Sequence, residues 1–452
     1  MIEIFVYIAI MLAVILGWFL LFKRPIYEGI LISIAVLLTI TGRWENLGTY
    51  INAALTTPLL YSMMAFSAMS QILSKTKVID NCVMVIVALL GRIPGGAGYA
   101  AVAASSFMGA LSGSGPGNVM ATGSITIPAM IKSGYPPELA ANVESTSSYL
   151  GNMIPPSANI VAALGAFLAV YPDSELTSGA FWVVCWGVSL WFILSRFVQL
   201  FCFCKYYKIE AMPEEDIPDL KQTLKESWSG LLLPVIILFP FVFDAVFHDT
   251  FLTQRLGAVG AKHFSSSLLI FVAGVTSLYG ILIAKNRKEM TLKNIVSLFA
   301  DKGKGLAPTV ATCVFGYVIG GLFTDLDMGG QLQAAFAQLN MGRVALAFLI
   351  PLFVCFLSMV IPGSSIVVML GPAFISIFAA AGVNPLLVAA MLPCICGVMC
   401  GITPPFALGM YAGMSIAKSD FSKTVRNDLW WVAVQYMMEV IVLLGWLPIL
   451  GL

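Results

Sequence analysis

Long apolar stretches separated by short polar segments limit the fold of this chain more than any other feature. The first stretch, Met1 to Phe22, is stopped by Lys23, Arg24 and Pro25, and we expect it to be a membrane span rather than a cleavable signal peptide. Unpaired backbone groups are costly in hydrocarbon, so such stretches must fold as helices there. The expected helices cover about 3–22, 26–41, 50–73, 79–91, 179–204, 229–247, 264–284, 305–323, 344–360 and 430–449.

The composition agrees with a chain embedded in the lipid bilayer. Hydrophobic residues make up 59% of the 452 residues and charged residues only 10%, whereas a soluble domain carries about 25% charged residues. The formal net charge is +1, which gives no electrostatic signature for nucleic acid. We therefore predict an all-α polytopic membrane protein without a nucleic-acid partner.

Two polar loops indicate the orientation. They cover 205–227 and 285–304, and the second contains six cationic residues. Two predicted spans separate the loops, so both lie on one side, and the positive-inside rule makes that side cytoplasmic. The same rule places Lys23 and Arg24 inside and the N-terminus outside.

Proline and glycine concentrate in two blocks, Gly91–Leu168 and Ile361–Ile416. The first contains "SGSGPGN", "KSGYPPEL" and "GNMIPPSAN" in that order, and the second contains "VIPGSS", "AAGVNPLL" and "CGITPPFA". Such a recurrence is an internal repeat. Matched positions are separated by 246, 248 and 249 residues: Gly117 and Gly363, Pro137 and Pro385, Pro155 and Pro404.

These marks predict breaks in the helices. Proline removes a backbone donor and glycine weakens a helix, and irregular backbone at membrane depth survives only inside protein or along a wet cavity. Each block is therefore expected to form a re-entrant helical hairpin followed by an interrupted helix. The hairpin tips would be Ser112–Asn118 and Ile361–Ser365, and the breaks Gly151–Pro156 and Gly401–Pro405. Paired broken segments in two halves indicate a transporter binding site.

The residues at these breaks suit a hard cation and an anion. Backbone carbonyls and the hydroxyls of Ser112, Ser114, Ser364, Ser365 and Thr403 are hard oxygen donors, which favour Na⁺ over a soft metal. The N-termini of half-helices present open N–H groups to a carboxylate.

Simpler interpretations compete with this one. Glycine and serine in a membrane helix often serve only close packing, although two matched blocks favour a site. The "GSGPG" segment lacks the strand and the GK[ST] sequence that nucleotide binding needs. Nine cysteines scattered through apolar segments, with only His248 and His263 in the chain, indicate small buried side chains and no transition-metal site.

Acidic residues in apolar segments leave alternatives open. Glu144, in "ELAANVESTSSYLG", is either a proton or ion relay or a capped structural acid near the interface. Asp325 and Asp327 are expected to mark the end of a span.

Several ordered motifs resemble one family, the large permease (M) subunit of tripartite ATP-independent periplasmic (TRAP) transporters, within the ion transporter superfamily. The first-half matches are "GRIPGGAGYAAVAAS", "ALSGSGPGNVMATGSITIPAMIKSGY" and "IPP". The second-half matches are "AGVNPLLVAAML" and "GITPPFALGMYAGMSIAKSD". Asn118 and "ATG" look nearer to the TAXI-type branch than to the dicarboxylate branch.

The resemblance implies an inverted-repeat, elevator-type transporter with two re-entrant hairpins and two interrupted helices. It implies import of an organic acid by Na⁺ symport across the bacterial or archaeal inner membrane, with no cofactor other than the coupling ion. It further implies a periplasmic substrate-binding protein and a small four-helix membrane subunit as partners.

Site residues follow from the matching positions. The expected ion-binding residues are Ser112, Ser114, Gly115, Asn118, Gly151, Asn152, Pro155, Gly363, Ser364, Gly401, Thr403 and Pro404. The expected substrate-binding residues are Ser114, Asn118, Pro156, Ser157, Ser364, Ser365 and Pro405. The tips depart from the family pattern, since Gly115-Pro116-Gly117 is unusually rich in proline and glycine and "SMVIPGSS" lacks the glycines that often precede the proline.

The resulting hypothesis is a secondary transporter rather than an enzyme. Its rivals are an H⁺-coupled carrier with Glu144 as relay, a polytopic membrane enzyme, for which no reactive constellation is found, and a subunit that only assists assembly. The predicted organisation is N-terminal scaffold helices (1–90), a first transport repeat (91–170), scaffold helices with cytoplasmic loops (171–305), linking helices (306–345), a second transport repeat (346–420) and a C-terminal helix (421–452).

Overall fold

The chain folds into helices throughout the part that the structure describes. The computed structural model describes residues 2–76, 78–112, 115–284, 286–328, 330–331, 334, 341–359, 361–404 and 407–452. The first ten helices are α1 (Ile2–Phe22), α2 (Ile26–Thr41), α3 (Leu47–Thr56), α4 (Pro58–Thr76), α5 (Val78–Leu90), α6 (Gly96–Ser112), α7 (Gly115–Lys132), α8 (Pro137–Leu150), α9 (Ala158–Val170) and α10 (Ser178–Tyr207). Ten more follow: α11 (Leu220–Ser227), α12 (Leu233–Phe247), α13 (Thr253–Ile283), α14 (Leu292–Asp325), α15 (Arg343–Ser358), α16 (Gly363–Ala380), α17 (Pro385–Leu392), α18 (Met399–Ile402), α19 (Leu408–Ala417) and α20 (Phe421–Leu443).

Local signals explain several helix boundaries. Pro25 precedes α2, and Gly42, with φ +68°, ends it in the left-handed conformation that glycine adopts at low cost. The single helix predicted over 50–73 is wrong, because the chain breaks at Thr57 and restarts at Pro58. Proline fits the first turn of a helix, where its missing N–H has no partner to lose.

The C-terminal helix begins where the predicted C-terminal segment 421–452 begins, but earlier than the apolar span expected over 430–449. Helix α20 starts after Asp420, whose carboxylate accepts a hydrogen bond from the backbone N–H of Lys423 at 3.0 Å. The helix is complete before Gly445, which has φ +68°. An N-cap aspartate therefore sets the start, and the polar first turn had hidden it from a hydropathy argument.

The two proline- and glycine-rich blocks interlock. In the first block α6 packs on α7 and α8, and in the second block α15 packs on α16. Each interrupted helix also crosses to the other block, since α8 and α7 pack on α19 while α9 packs on α16 and α17. Around them, α4 packs on α13 and α9, and α10 packs on α12, α17 and α20.

Several of these helices are long and apolar enough to cross a membrane. Among the described residues four segments pass this test: 178–207, 230–283, 363–380 and 385–402. The segments Pro137–Met153 and Ala158–Val170 are long and apolar enough only when they are taken as one span, and this span is bent by 41° at the break between them. Large side chains such as Phe239 and Phe271 are exposed on α12 and α13, as expected for surfaces in contact with lipid.

Ion pairs anchor two helix ends. Lys132, at the end of α7, donates to Asp216 in the polar loop after α10 at 2.8 Å, and this carboxylate raises the pKa of the lysine. The predicted span end at Asp325 is confirmed, because α14 ends there. Its carboxylate lies 3.2 Å from Arg43 and accepts a hydrogen bond from Tyr50 at 2.7 Å.

Candidate functional site

The predicted first tip lies where α6 ends and α7 begins. Ser112 is the last residue of α6, its side chain lies outside the described residues, and so does all of Ser114. Helix α7 starts at Gly115, so Asn118 belongs to its first turn and not to a turn of irregular backbone. The expected tip Ser112–Asn118 is therefore too long. The glycines that predicted a turn, Gly115 and Gly117, belong to the first turn of α7.

Asn118 holds the first hairpin to its neighbours. Its side chain is buried, and its amide nitrogen donates to the backbone carbonyl of Ser105 in α6 and to the hydroxyl of Ser148 in α8, both at 2.8 Å. These bonds use both amide protons in joining three helices. The expected role of Asn118 as an ion and substrate ligand stays a prediction.

Glu144 lies in a pocket of hydroxyl groups. Its fully buried carboxylate accepts hydrogen bonds from Ser105 at 2.6 Å, from Ser148 at 3.2 Å, and from Thr122 and Thr126. Among the described residues Glu144 forms no ion pair. An acid surrounded only by neutral donors is either an anion stabilised by four hydrogen bonds or a protonated group that shares them.

The first break is compact and buried. Gly151 to Met153 form a 3₁₀ turn, the Pro155–Pro156 bond is cis, and Ser157 accepts a hydrogen bond from the N–H of Asn159 at 3.2 Å as the N-cap of α9. A side chain at Gly151 would collide with the backbone of Gly109 in α6.

Asn152 joins the two blocks. Its amide nitrogen donates to the carbonyl of Gly397 at 3.1 Å, across 245 residues of sequence. Gly397 belongs to a π-helical turn, Pro393–Val398, that sequence reasoning missed. Such turns often mark functional sites, and this one leads into the second break.

The second tip and the second break lie beside this turn. A side chain at Gly363 would collide with the carbonyl of Cys396. Gly363 begins α16, so Ser364, half-buried, and Ser365, buried, belong to a helical first turn. The expected tip Ile361–Ser365 is thus mostly helical, because Pro362 at the N-cap ends the turn before the serines.

Thr403 marks the second break as predicted. Helix α18 ends one residue before it, and its buried hydroxyl lies 3.3 Å from that of Ser358, at the end of α15. It also donates to the carbonyl of Met399 at 2.6 Å. Pro404 is half-buried, and Pro405 lies outside the described residues.

One aromatic ring, that of Tyr149, connects the two blocks. It packs so closely on Gly115, Gly401 and Gly409 that a Cβ at any of them would overlap it. Tyr149 is the last residue but one of α8, just before the first break, whereas Gly401 and Gly409 flank the second. The start of the first hairpin's second arm and the second break therefore meet at this ring.

The structure thus brings Gly115, Gly151, Asn152, Gly363, Gly401 and Thr403 into one buried region. Ser157 and Asn118 serve as a helix cap and a helix clamp beside it. Sequence reasoning missed the partners of Glu144 and the ring that packs on the glycines: Ser105, Thr122, Thr126, Ser148 and Tyr149. The hydroxyl-rich "ESTSSY" was a usable signal for two of them, and helical spacing from Asn118 marks Thr122 and Thr126.

The helical architecture is shared with solved membrane proteins. MtrF of Neisseria gonorrhoeae, from a class of antimetabolite efflux pumps, superposes with a TM-score of 0.66 over 92% of this chain and 86% of that chain at 15% identity, a likeness of fold alone. The model of the family "Tripartite ATP-independent periplasmic transporter, DctM component" matches residues 2–450. The chain belongs to this family, and it is therefore a transporter permease and not an enzyme.

Two relatives show the range of the family. The C4-dicarboxylate TRAP transporter large permease protein DctM of Pseudomonas aeruginosa is 25% identical over 358 residues, which cover 78% of this chain and 77% of the relative. The sialic acid TRAP transporter large permease protein SiaM of Vibrio cholerae is 25% identical over 344 residues, which cover 75% and 73%. The placement near the TAXI-type branch stays a prediction.

Proposed function

We propose that this permease imports an organic acid by Na⁺ symport across the inner membrane, with one site shared by the two blocks. The hydrogen bond from Asn152 to Gly397 is the observation that carries the proposal, because it joins the first break to the turn that precedes the second. A site built from both halves can change its accessibility when the two blocks move together against the surrounding helices.

The donor chemistry supports Na⁺ as the coupling ion. Thr403 and Ser358 offer hydroxyl oxygens 3.3 Å apart inside the buried region, and the breaks add backbone carbonyls. Hard oxygen ligands favour hard cations. The starts of α9 and α16 at Ser157 and Gly363 present helix N-termini, which favour a carboxylate.

The partners follow from the family. A periplasmic substrate-binding protein would deliver the organic acid, and a small four-helix membrane subunit would complete the scaffold. Two of the relatives are named for C4-dicarboxylates and for sialic acid, which are carboxylated compounds. We therefore place the substrate of this chain among carboxylates.

Thermal unfolding of the purified protein in NaCl against equal choline chloride tests the sodium site. A ligand that binds only the folded state stabilises it by about 2.7 kcal/mol at a hundredfold excess over its dissociation constant. We expect a saturable rise in Tm specific to Na⁺ that is lost in Thr403→Val. Thr276→Val, at an equally buried threonine in α13, is the matched control and should keep the rise. An equal response of both variants to Na⁺ would contradict the assignment of Thr403.

Proton coupling through Glu144 is the second candidate, and the carboxylate pocket favours it. Four hydroxyls surround the acid, and none of them adds a positive charge that would hold it ionised. A proton could therefore occupy this carboxyl group in one conformation and leave it in another.

Uptake into proteoliposomes that contain the complete transporter separates the two candidates. If protons are coupled, an imposed pH gradient drives uptake without Na⁺ and Glu144→Gln abolishes it, while Glu175→Gln, in an exposed loop, leaves it unchanged. Uptake that still requires Na⁺ and persists in Glu144→Gln would exclude the relay.

A further inference from the structure

A groove runs along the contact between α10 and α20, the helices that follow the two blocks in sequence. It encloses about 1200 Å³. The helices are antiparallel here, since Trp191 donates to the carbonyl of Pro448 at 2.8 Å and Gln199 to that of Trp430 at 3.0 Å. From Trp191 to Tyr207 the helical rise gives about 24 Å, close to the thickness of the hydrocarbon core at about 30 Å.

The wall of the groove is apolar and open to the membrane. Leu194 and Val198 of α10 are more than half exposed, and Val434, Met438 and Ile441 of α20 line the same space. The contact to α20 leaves these side chains without a protein cover among the described residues. Such a surface fits hydrocarbon chains.

The two ends of the groove differ in charge. Lys423 and Arg426, both exposed, line the end at which α10 finishes and α20 begins, and Glu138 from the first turn of α8 joins them. None of the three forms an ion pair among the described residues. This is the end that the positive-inside rule assigns to the cytoplasm.

Aromatic side chains also concentrate at this end. Tyr206, Tyr207 and Trp430 line the groove next to the cations, with Tyr206 and Trp430 largely exposed. Tyrosine and tryptophan are enriched where a membrane protein meets the headgroup region. The groove therefore has an apolar channel within the hydrocarbon and a charged mouth at headgroup level.

We propose that this groove binds one phospholipid, with its phosphate at Lys423 and Arg426 and its acyl chains along Val198 and Val434. Basic pockets between membrane helices on the cytoplasmic side bind anionic lipid groups. Glu138 lines the same groove as the two cations, and its carboxylate matches a headgroup that carries a primary amine as well as the phosphate. The preferred ligand is thus an aminophospholipid, whose phosphate and amine match the two cations and the carboxylate while its acyl chains match the apolar wall.

Lipid analysis of purified protein tests this site. The protein is reconstituted in nanodiscs of equal parts phosphatidylethanolamine, phosphatidylglycerol and phosphatidylcholine, re-extracted in mild detergent and examined by native mass spectrometry. We expect one retained lipid per chain, with phosphatidylethanolamine enriched about twofold or more over its share. Retention should be lost in the double variant Lys423→Gln with Arg426→Gln. It should persist in Arg287→Gln with Lys288→Gln, an exposed pair that makes the same change of charge.

Two further outcomes decide the details. Glu138→Gln should keep the retained lipid but remove the preference for phosphatidylethanolamine. Retained lipid that mirrors the nanodisc composition, or equal loss in both double variants, overturns the proposal. A photoreactive side chain at Val198 that labels a membrane protein instead of lipid in native membranes would also overturn it and assign the groove to a protein partner.

Discussion

Tyr149 is the side chain on which the packing of the two blocks depends most directly. Its ring fills the space above Gly115, Gly401 and Gly409, and its residue is 5% exposed. Glycine is required at these positions because of close approach and not because of backbone conformation, since none of the three has a positive φ. Buried interiors are close-packed, so even one added methyl group must displace the ring.

Gly401→Ala should therefore destabilise the protein. Overpacking of this kind costs about 1–3 kcal/mol, and we expect a lower Tm in detergent. Gly320→Ala, in α14, is the control, because a Cβ there meets no atom within 4 Å, and alanine in a helix interior is favoured over glycine by about 0.5–1 kcal/mol. Equal Tm values for both variants would show that the ring does not pack as described.

The interrupted helices are stabilised by caps as well as by packing. Ser157 accepts a hydrogen bond from the N–H of Asn159 at the start of α9, and Thr177 accepts one from Ala180 at the start of α10. The two caps are chemically alike, but only Ser157 borders the break. Removing each cap in turn therefore distinguishes a loss of helix stability, which both variants should show, from a loss of function at the break, which only the Ser157 variant should show.

Ser157→Ala and Thr177→Ala should each cost about 1 kcal/mol of stability. Only Ser157→Ala should also reduce the Na⁺-dependent rise in Tm, since it loosens the break that we propose as part of the site. The measurement is a titration of Tm with NaCl for both variants. A Na⁺ response that is unchanged in Ser157→Ala would separate the first break from ion binding.

The arrangement of the helices suggests which parts move. The two blocks interlock through α7, α8, α9, α16 and α19, whereas α10 reaches the first break through a hydrogen bond from Ser189 to the carbonyl of Met153 at 2.7 Å. If the blocks travel as one unit past α10, as the elevator hypothesis requires, this contact must break in each cycle.

Cross-linking tests that motion. In a background without native cysteines, Met153→Cys with Ser189→Cys joined by a short bifunctional thiol reagent should stop uptake, and cleavage of the link should restore it. His248→Cys with Ser265→Cys, which joins two side chains 3.2 Å apart within the predicted scaffold, should leave uptake intact. Uptake that survives the first link would contradict relative motion at this contact.

Sequence patterns predicted much of this organisation. The helix at 26–41 was placed correctly, and the breaks after Leu150 and near Thr403 were predicted from proline and glycine, whose effects on the backbone are local. The break at Thr57 was missed, because a proline at the first position of a helix looks, in an apolar stretch, like part of a continuous span. The tips were placed too far into the following helices for a related reason, since glycine and serine are tolerated in a first turn.

The long apolar stretches and the repeated prolines were enough to predict an all-helical membrane protein with interrupted helices in two blocks, because hydrocarbon and proline act on the backbone wherever they occur. The side-chain contacts between the two blocks could not be predicted in this way. That Asn152 bonds to Gly397, that Tyr149 packs on glycines of both blocks, and that four hydroxyls surround Glu144 depends on how distant helices pack. Side chains that are far apart in sequence come into contact only when the helices pack against one another. The candidate site consists of such contacts, so only the tertiary structure decides it.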